Sequence, residues 1–379
     1  MHIAFLVPRY WPDLGGVEKY VHELGKALFA VGHRVTVVAP AYQPSLPDVE
    51  FRDGVEIRRF PAYRSPLRCW VALTRMRRLF TEADVVHISN VDMVEYYHRM
   101  IGWIIPRRPI FMTRHGMSYQ CPVPIEEKRR AARAATLVDG IIDDGVFIAK
   151  WLGVPSTAAL DQGLSPTTDE LDHVPEPPPT SAVFIGRLDW DSGIENYIEA
   201  INLLVHQHRL RISLDVYGGG HLQGELRARV ERQQLPITFH GWVNDAQNRL
   251  TDGCFAFVSG RLAIQEAMAR RRLVVATYVN QLKRDYVCEE SFSPHLVVGG
   301  TPPELAALVI RYAQHNEERA RIVDGAFAHA KNLTWPRTAQ GFLKLWRSAP
   351  VVRKAGAPSR LERIMLALRL NGEAAAMAH

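Results

Sequence analysis

The sequence predicts an α/β protein of two doubly wound domains, each a parallel sheet covered by helices on both faces. Apolar runs of strand length alternate with helical patterns from the first residues onward. At 165–181 the stretch "SPTTDELDHVPEPPPTS" breaks every periodicity, with consecutive prolines among acidic and Ser/Thr neighbours, as a linker does. After it the strand–helix alternation starts again.

In the first half the candidate strands are "HIAFLVP" (2–8), "HRVTVVAP" (33–40), "DVVHISN" (84–90), "PIFMTRHG" (109–116), "GIIDDG" (140–145) and "TAALDQG" (157–163). Helical patterns such as "VEKYVHELGKALFAVG" and "EEKRRAARAATLV" lie between them, which implies a parallel sheet buried on both faces. The second half reads "SAVFIGRL" strand, "GIENYIEAINLLVHQH" helix, "RISLDVYGGG" strand, "LQGELRARVERQQ" helix and "ITFHGWV" strand. Next, Cys254 to Val258 reads as a buried strand turning at Ser259-Gly260 into a helix, followed by the strand Leu273 to Ala276. "PPELAALVIRYAQHNEERARIVDGAFAHAKN" is expected to be helical throughout, and "TWPRTAQGFLKLWRSA" to form a further helix. The expected boundaries are 1–164 for the first domain, 165–180 for the linker, 181–336 for the second domain and 337–379 for C-terminal helices. Ligands of such sheets bind beyond the carboxyl ends of the strands, so two domains facing each other would line a shared cleft with those ends.

The chain has 379 residues, 47% hydrophobic and 23% charged, enough core for two soluble domains. No run approaches the roughly 20 apolar residues of a membrane span. The start "MHIAFLVPRYWPDLGG" reads as a core strand, so no signal peptide is expected. Cys69, Cys121, Cys254 and Cys288 are far apart, without metal spacing, which suits free thiols in a reducing cytoplasm. Net charge is +6 and the pI about 9.2, suggesting phosphate-bearing partners or an anionic surface. No nucleic-acid motif accompanies the basic clusters, so nucleic acid is not an expected partner.

Glycines gather at the expected strand ends. Gly15-Gly16 precede a helix, where close backbone approach and a helix N-terminus suit a phosphate, although a plain turn explains them too. The spacing is not GxGxxG, which disfavours a nicotinamide cofactor. Arg187 ends the first strand of the second domain, suiting either a diphosphate or an inter-domain ion pair. Gly218 and Gly219, in "VYGGG", repeat the pattern after the next strand. His115 ends a strand in the first domain, as a structural histidine or as a partner for a sugar hydroxyl or proton. Glu266 stands near a helix start, where a carboxylate caps the helix or holds a ligand.

The ordered series "GGVEKYVHEL", "TRHG", "FIGRLDWDSGIENYIEA", "VYGGG", "FHGWV", "VSGRLAIQEAMARRRLVVATY" and "TWPRTAQGFLKLW" resembles the family 4 retaining glycosyltransferases of the GT-B fold, over about residues 2 to 347. The resemblance implies two Rossmann-like domains closing on a nucleotide-sugar, with the last helix crossing back onto the N-terminal domain. It implies Glu266 as the holder of the donor ribose, Arg187 as the diphosphate-binding arginine and Gly16 as the glycine beside donor phosphate and sugar. His115 would lie near the transferred sugar, and Trp242 and Val243 beside the base. The donor site would further include Gly15, Ser192, Gly218, Gly219, Ser259, Gly260 and Leu262, with His115 and Arg187 in the catalytic roles.

Two motifs depart from the family. Its two glutamates usually stand seven residues apart; here the loop before Glu266 is about three residues shorter and the first glutamate is missing. The family's lysine five residues beyond the arginine is replaced by Ser192. Lys283 or Arg284, in "YVNQLKRDYV", is the candidate replacement cation, a surface pair being the alternative.

The implied reaction is front-face transfer of a hexosyl group from a nucleoside diphosphate sugar, without a protein nucleophile, cofactor or metal. The expected acceptor is a saccharide, a lipid-linked sugar or a small molecule, bound mainly by the first domain. Segment 60–80, "FPAYRSPLRCWVALTRMRRLF", reads either as a basic amphipathic surface for an anionic membrane or as a crossover helix with a solvated face. The expected location is cytoplasmic, with peripheral contact at the inner face of a membrane. The alternatives are a nucleotide-sugar-binding protein without transfer, a nucleotide-sugar epimerase and a nucleic-acid-binding protein.

Overall fold

The computed structural model describes residues 1–12, 15–62, 66–105, 108–165 and 176–348. Most of the expected linker, and residues 349–379 of the expected C-terminal helices, lie outside the described residues. The chain divides into two compact units, Met1–Ser118 with Val123–Gly163 and Trp335–His379, and Tyr119–Pro122 with Leu164–Thr334.

In the first unit the elements follow as β1 (His2–Leu6), α1 (Gly16–Ala30), β2 (Arg34–Ala41), β3 (Val49–Arg52), β4 (Val55–Pro61), α2 (Pro66–Arg75) and α3 (Arg77–Glu82). Then come β5 (Val85–Ser89), α4 (Val91–Tyr97), β6 (Ile110–Arg114), α5 (Ile125–Thr136), β7 (Gly140–Asp143), α6 (Val146–Leu152) and β8 (Ala158–Ala159). Their sheet order is β3-β4-β2-β1-β5-β6-β7-β8. β1 lies between β2 and β5 in parallel register, with Ile3 opposite both Val35 and Val85. Strands so enclosed need apolar side chains on both faces, and every residue of β5 is buried.

Only the β3–β4 pair is antiparallel among the described strands, a hairpin absent from the sequence reading. Its turn is Asp53-Gly54, with φ of 50° and 81°, the two positive values that a two-residue hairpin turn requires. The expected strand at 157–163 shortens to Ala158–Ala159, because β8 is an edge strand paired only with β7 over two residues.

The second unit contains β9 (Ser181–Ile185), α7 (Ile194–His206), β10 (Ser213–Tyr217), α8 (Gln223–Arg232), β11 (Ile237–Gly241), β12 (Phe255–Phe257) and α9 (Arg261–Ala269). It continues with β13 (Leu273–Thr277), α10 (Gln281–Cys288), β14 (Val297–Gly299), α11 (Pro302–Gln314) and α12 (Asn316–Ala330). The all-parallel order is β11-β10-β9-β12-β13-β14. The expected single long helix over 302–332 is two. His315 leaves helical geometry at φ −109° and ψ 77°, and both its backbone N–H and its ring Nδ1 approach the Arg311 carbonyl.

α13 (Trp335–Ser348) belongs to the first unit. Trp335, Ala339, Phe342, Leu343 and Trp346 recur at helical spacing and are buried in that unit's core. Tyr20 of α1 meets the Trp335 ring edge-on at 5.4 Å, and Phe5 of β1 meets Trp346 at 6.1 Å. Such aromatic pairs contribute about 0.5–1.5 kcal/mol each beyond their buried area.

Both predicted sheets are therefore present as α/β layers, and each presents its candidate residues at the carboxyl ends of parallel strands.

Candidate functional site

In the first unit the relevant strand ends are those of β5, β6 and β7. Arg114, the last residue of β6, and Asp143, the last of β7, form a bidentate ion pair at 2.6 and 2.7 Å, with both side chains essentially buried. The next residue of each strand is a candidate reactive group. His115 points its Nδ1 toward Asp144 at 3.8 Å, packs edge-on against Tyr20 at 4.9 Å and keeps a buried Nε2 with no hydrogen-bond partner. Asp144 Oδ1 and Ser89 Oγ are likewise buried without partners. Unpaired buried polar atoms cost about 1–3 kcal/mol each, so these three, one at the end of each of β5, β6 and β7, are candidates for contact with a ligand.

His87, one strand over, bonds Thr113 at 2.8 Å and lies among the rings of Phe5, Phe342 and Trp346. Burial, and then the neighbouring His115, push its pKa down to about 3. It is a neutral core histidine.

Gly15 is the N-cap of α1, and its backbone N–H donates to Glu18 Oε2 at 2.9 Å. A Cβ on Gly15 would come within 2.7 Å of that oxygen. Among the described residues, a Cβ on Gly16 would meet nothing within 4 Å, so none of them demands a glycine there. The open space at the helix N-terminus is what a phosphate or sugar needs.

In the second unit, Arg187 follows β9 by two residues and leads into a 3-10 turn at Trp190–Ser192. Its guanidinium donates to Asp189 at 3.2 Å and to Asp191 at 2.8 Å, yet the side chain remains 66% exposed. Both partners are local, so the inter-domain alternative raised from the sequence is not needed to explain its charge. Ser192 donates its hydroxyl to the Asp189 carbonyl at 2.7 Å and accepts the Ile194 N–H at 3.3 Å. It closes the 3-10 turn before Gly193, the N-cap of α7, and offers no charge. Lys283, on α10, is nearly buried with its Nζ 3.9 Å from the same Asp191 carboxylate. The alternative of a surface Lys-Arg pair is thereby overturned for Lys283, because Asn280 caps α10 and turns that lysine inward; Arg284 stays at the surface.

The glycines of "VYGGG" divide into two kinds. Gly218 has φ +137°, and a Cβ on it would fall 1.9 Å from the Gly186 carbonyl oxygen. Gly220 would clash with Leu188 in the same way, at 2.5 Å. These two glycines let the ends of β9 and β10 close together, tied by Leu188 N–H to Gly219 O at 2.9 Å. Gly219 alone has ordinary room, its nearest neighbour being Gln223 at 3.5 Å.

At the β12–α9 corner, Ser259 is buried. Its hydroxyl bonds Tyr197 at 2.8 Å and accepts the Thr277 N–H at 3.3 Å, so it joins three elements. Gly260 is the exposed N-cap of α9, and a Cβ there would meet nothing within 4 Å. Leu262 is half-buried. Glu266 lies in the second turn of α9 and is 6% exposed, so the capping alternative fails: the cap is Gly260. The Arg270 guanidinium donates to the Glu266 carbonyl at 3.1 Å, holding positive charge near that carboxylate. Trp242, 75% exposed, and half-buried Val243 follow β11 at the sheet edge.

Sequence reasoning missed Asp191, which meets Arg187 through the 3-10 turn at Trp190–Ser192 and outside any α-helix, so its spacing of four carried no helical signal. It also missed Arg261, paired with Glu290 in the interior and bonded through its N–H to the Tyr286 hydroxyl, for which no local signal exists. Among the described residues no group of three His, Cys, Asp or Glu stands together as a metal site would.

The family called Glycosyltransferase Family 4 matches residues 14–142, and Glycosyl transferases group 1 matches residues 179–315. The phosphatidyl-myo-inositol mannosyltransferase of Mycobacterium tuberculosis is 24% identical over 389 aligned residues, covering 92% of this chain and 97% of that protein. Among solved structures, sucrose-phosphate synthase from Thermosynechococcus elongatus superposes with a TM-score of 0.69 at 18% identity, covering 91% of this chain and 98% of the other. Anabaena HepE in complex with UDP superposes with a TM-score of 0.68 at 17% identity, covering 92% and 100%. The two family matches fall one in each α/β unit, in the order that the strand-end motifs require, and the chain belongs to the family 4 glycosyltransferases of the GT-B fold.

Proposed function

We propose that this glycosyltransferase moves a hexosyl group from a nucleoside diphosphate sugar to an acceptor hydroxyl, with retention, by front-face transfer. The observation that carries the reading is the exposed Arg187 guanidinium at the end of β9, held in place by Asp189 and Asp191. In this reading the bond from the sugar's anomeric carbon to the diphosphate oxygen breaks as the acceptor oxygen bonds that carbon from the same face. The acceptor proton passes to the departing phosphate oxygen. Arg187 offsets the charge that grows on the leaving diphosphate, the largest single contribution that such a site makes. Glu266 accepts the ribose hydroxyls, and Gly219 and Gly260 leave room for the nucleotide, with Trp242 and Val243 toward its base. In the first unit, Gly16 leaves room for phosphate and sugar, and the unpaired His115 Nε2 is the partner for a sugar hydroxyl. Arg187 takes the role that a cation has elsewhere, so the reading needs no metal.

The named relatives narrow the donors and acceptors worth testing. One is a mannosyltransferase acting on phosphatidyl-myo-inositol by its name, and HepE is described with UDP and with UDP-glucose. Purified chain incubated with labelled GDP-mannose or UDP-glucose and a panel of saccharide, small-molecule and lipid-linked acceptors should give an α-linked product at a rate unchanged by EDTA. An inverted product, or a rate abolished by EDTA and restored by a divalent metal, would remove the mechanism proposed.

A peripheral membrane contact at the cytoplasmic face belongs to the same reading. On α2 and α3 the arginines Arg68, Arg75, Arg77 and Arg78 are exposed beside Leu67, while Cys69, Leu73, Leu79 and Phe80 anchor the helices in the core. No described helix is long and apolar enough to cross a membrane. Near an anionic bilayer each such arginine contributes about 1 kcal/mol. Arg77→Glu with Arg78→Glu should therefore lower co-sedimentation with phosphatidylglycerol vesicles by roughly tenfold or more in low salt. Equal binding by the double variant would rule this surface out.

A further inference from the structure

The loop after β9 carries Ser192 at the slot of a second phosphate cation, and its hydroxyl is committed to the Asp189 carbonyl and the Ile194 N–H. A cation reaches the cluster from another element. Lys283 Nζ lies 3.9 Å from Asp191 Oδ2, the oxygen that accepts from Arg187 Nη2 at 2.8 Å. One carboxylate thus holds two cations side by side. We propose that Lys283 is the second diphosphate-binding cation of this chain, relocated from the β9 loop to the first turn of α10, with Asp191 positioning it beside Arg187. The proposal rests on the donor reading above.

The surroundings of Lys283 are poor for a purely structural lysine. The side chain is 7% exposed and stands in the first turn of α10, where the helix dipole disfavours positive charge. An apolar side chain of similar length would serve packing as well, because desolvating an ammonium offsets what one carboxylate returns. What holds the ammonium is a small box built around it. The Tyr119 ring centre lies 4.0 Å from Nζ and the Tyr286 ring centre 4.8 Å. Asn280, which caps α10 through its side-chain oxygen, donates its side-chain N–H to the Tyr119 carbonyl at 3.0 Å. Cap, aromatic wall and lysine are thereby locked together.

The same arrangement makes nucleotide binding pH-dependent. Burial pushes the Lys283 pKa down to about 8; Asp191 opposes that shift and Arg187 adds to it. The groups facing the ammonium are Asp191 and, through it, Arg187 on the β9 loop, Tyr119, and Tyr286 on α10 itself. An arriving diphosphate is a new negative charge and favours the ammonium, so binding raises this pKa. Below pH 8 the lysine is already charged and binding takes up little proton. Above pH 8 binding must draw a proton from solution, and affinity falls by up to tenfold per pH unit.

The test is titration calorimetry of the full chain with UDP and with GDP, at about pH 7 and pH 8.5, in buffers of different ionisation enthalpy. Wild type should take up close to no proton at the lower pH and roughly half a proton or more at the higher. Lys283→Met should abolish the difference and weaken binding at least tenfold at the lower pH. Adding Ser192→Lys to that variant returns a cation to the β9 loop and should recover part of the affinity. Tight wild-type binding without proton uptake at pH 8.5 would overturn the role of Lys283 while leaving the donor reading intact, and that measurement needs no variant to fold. Binding by Lys283→Met within threefold of wild type would overturn it equally. Failure of wild type to bind UDP, GDP, ADP or TDP would overturn the donor reading itself.

Discussion

Arg187→Ala should lower kcat/KM for sugar transfer by about 10²–10³-fold, the usual effect of removing one well-placed stabiliser of leaving-group charge. The fold should barely respond. The side chain is 66% exposed and its ion pairs with Asp189 and Asp191 are local, so the stability change belongs in the range of about 0.5 kcal/mol typical of surface positions. Asp191 keeps its contact with Lys283 in the variant, so nucleotide binding should weaken without vanishing. Arg187→Lys should recover only part of the rate, because an ammonium lacks the planar fork that engages two phosphate oxygens. Steady-state kinetics together with a melting curve separate these effects. A loss of less than tenfold, with normal melting, would remove Arg187 from the charge-offsetting role.

The second large effect is on stability. Arg114→Met or Asp143→Asn should destabilise the first unit by about 3–5 kcal/mol, because each leaves a buried charge without its counter-charge. The two side chains are 1% and 0% exposed, and Arg114 also donates to the Val154 carbonyl at 3.0 Å. For a unit of this size that corresponds to a fall in melting midpoint on the order of 10 °C. The double variant Arg114→Met with Asp143→Leu should recover much of the loss, since paired apolar groups replace a buried ion pair at little cost. The singles should also slow transfer beyond what unfolding explains. Their neighbours His115 and Asp144 sit one residue further along the same two strands, and the ion pair fixes the relative position of those strand ends. A melting shift under 2 °C in either single variant would contradict this account.

The strands, helices and order of motifs were legible in the sequence because parallel strands buried on both faces must be nearly continuous apolar runs, and their crossovers must be amphipathic. The Asp53-Gly54 hairpin was legible too, but β3 has four residues and exposes its apolar Val49 and Phe51, so its strand signal was short and fits no buried face. The break at His315 was not, because both flanks are strongly helical and only one residue's backbone departs.

Within the site the division is sharper. Residue type and position, at a strand end or, for Glu266, near a helix start, were enough to single out Arg187, Gly16, His115 and Glu266 as candidates, and the family resemblance gave them their expected roles. Sequence could not say that Gly218 is a glycine for the sake of Gly186 while Gly16 is a glycine that no described residue requires, since that depends on what lies about 2 Å away across the fold. Nor could it place Lys283 against Asp191, two residues separated by 92 positions, with four strands and three α-helices in the intervening chain. Periodicity and turn chemistry act between near neighbours and so determine elements and their order. Charge pairing, desolvation and steric room depend on distances across the fold, and those exist only once the sheets have formed.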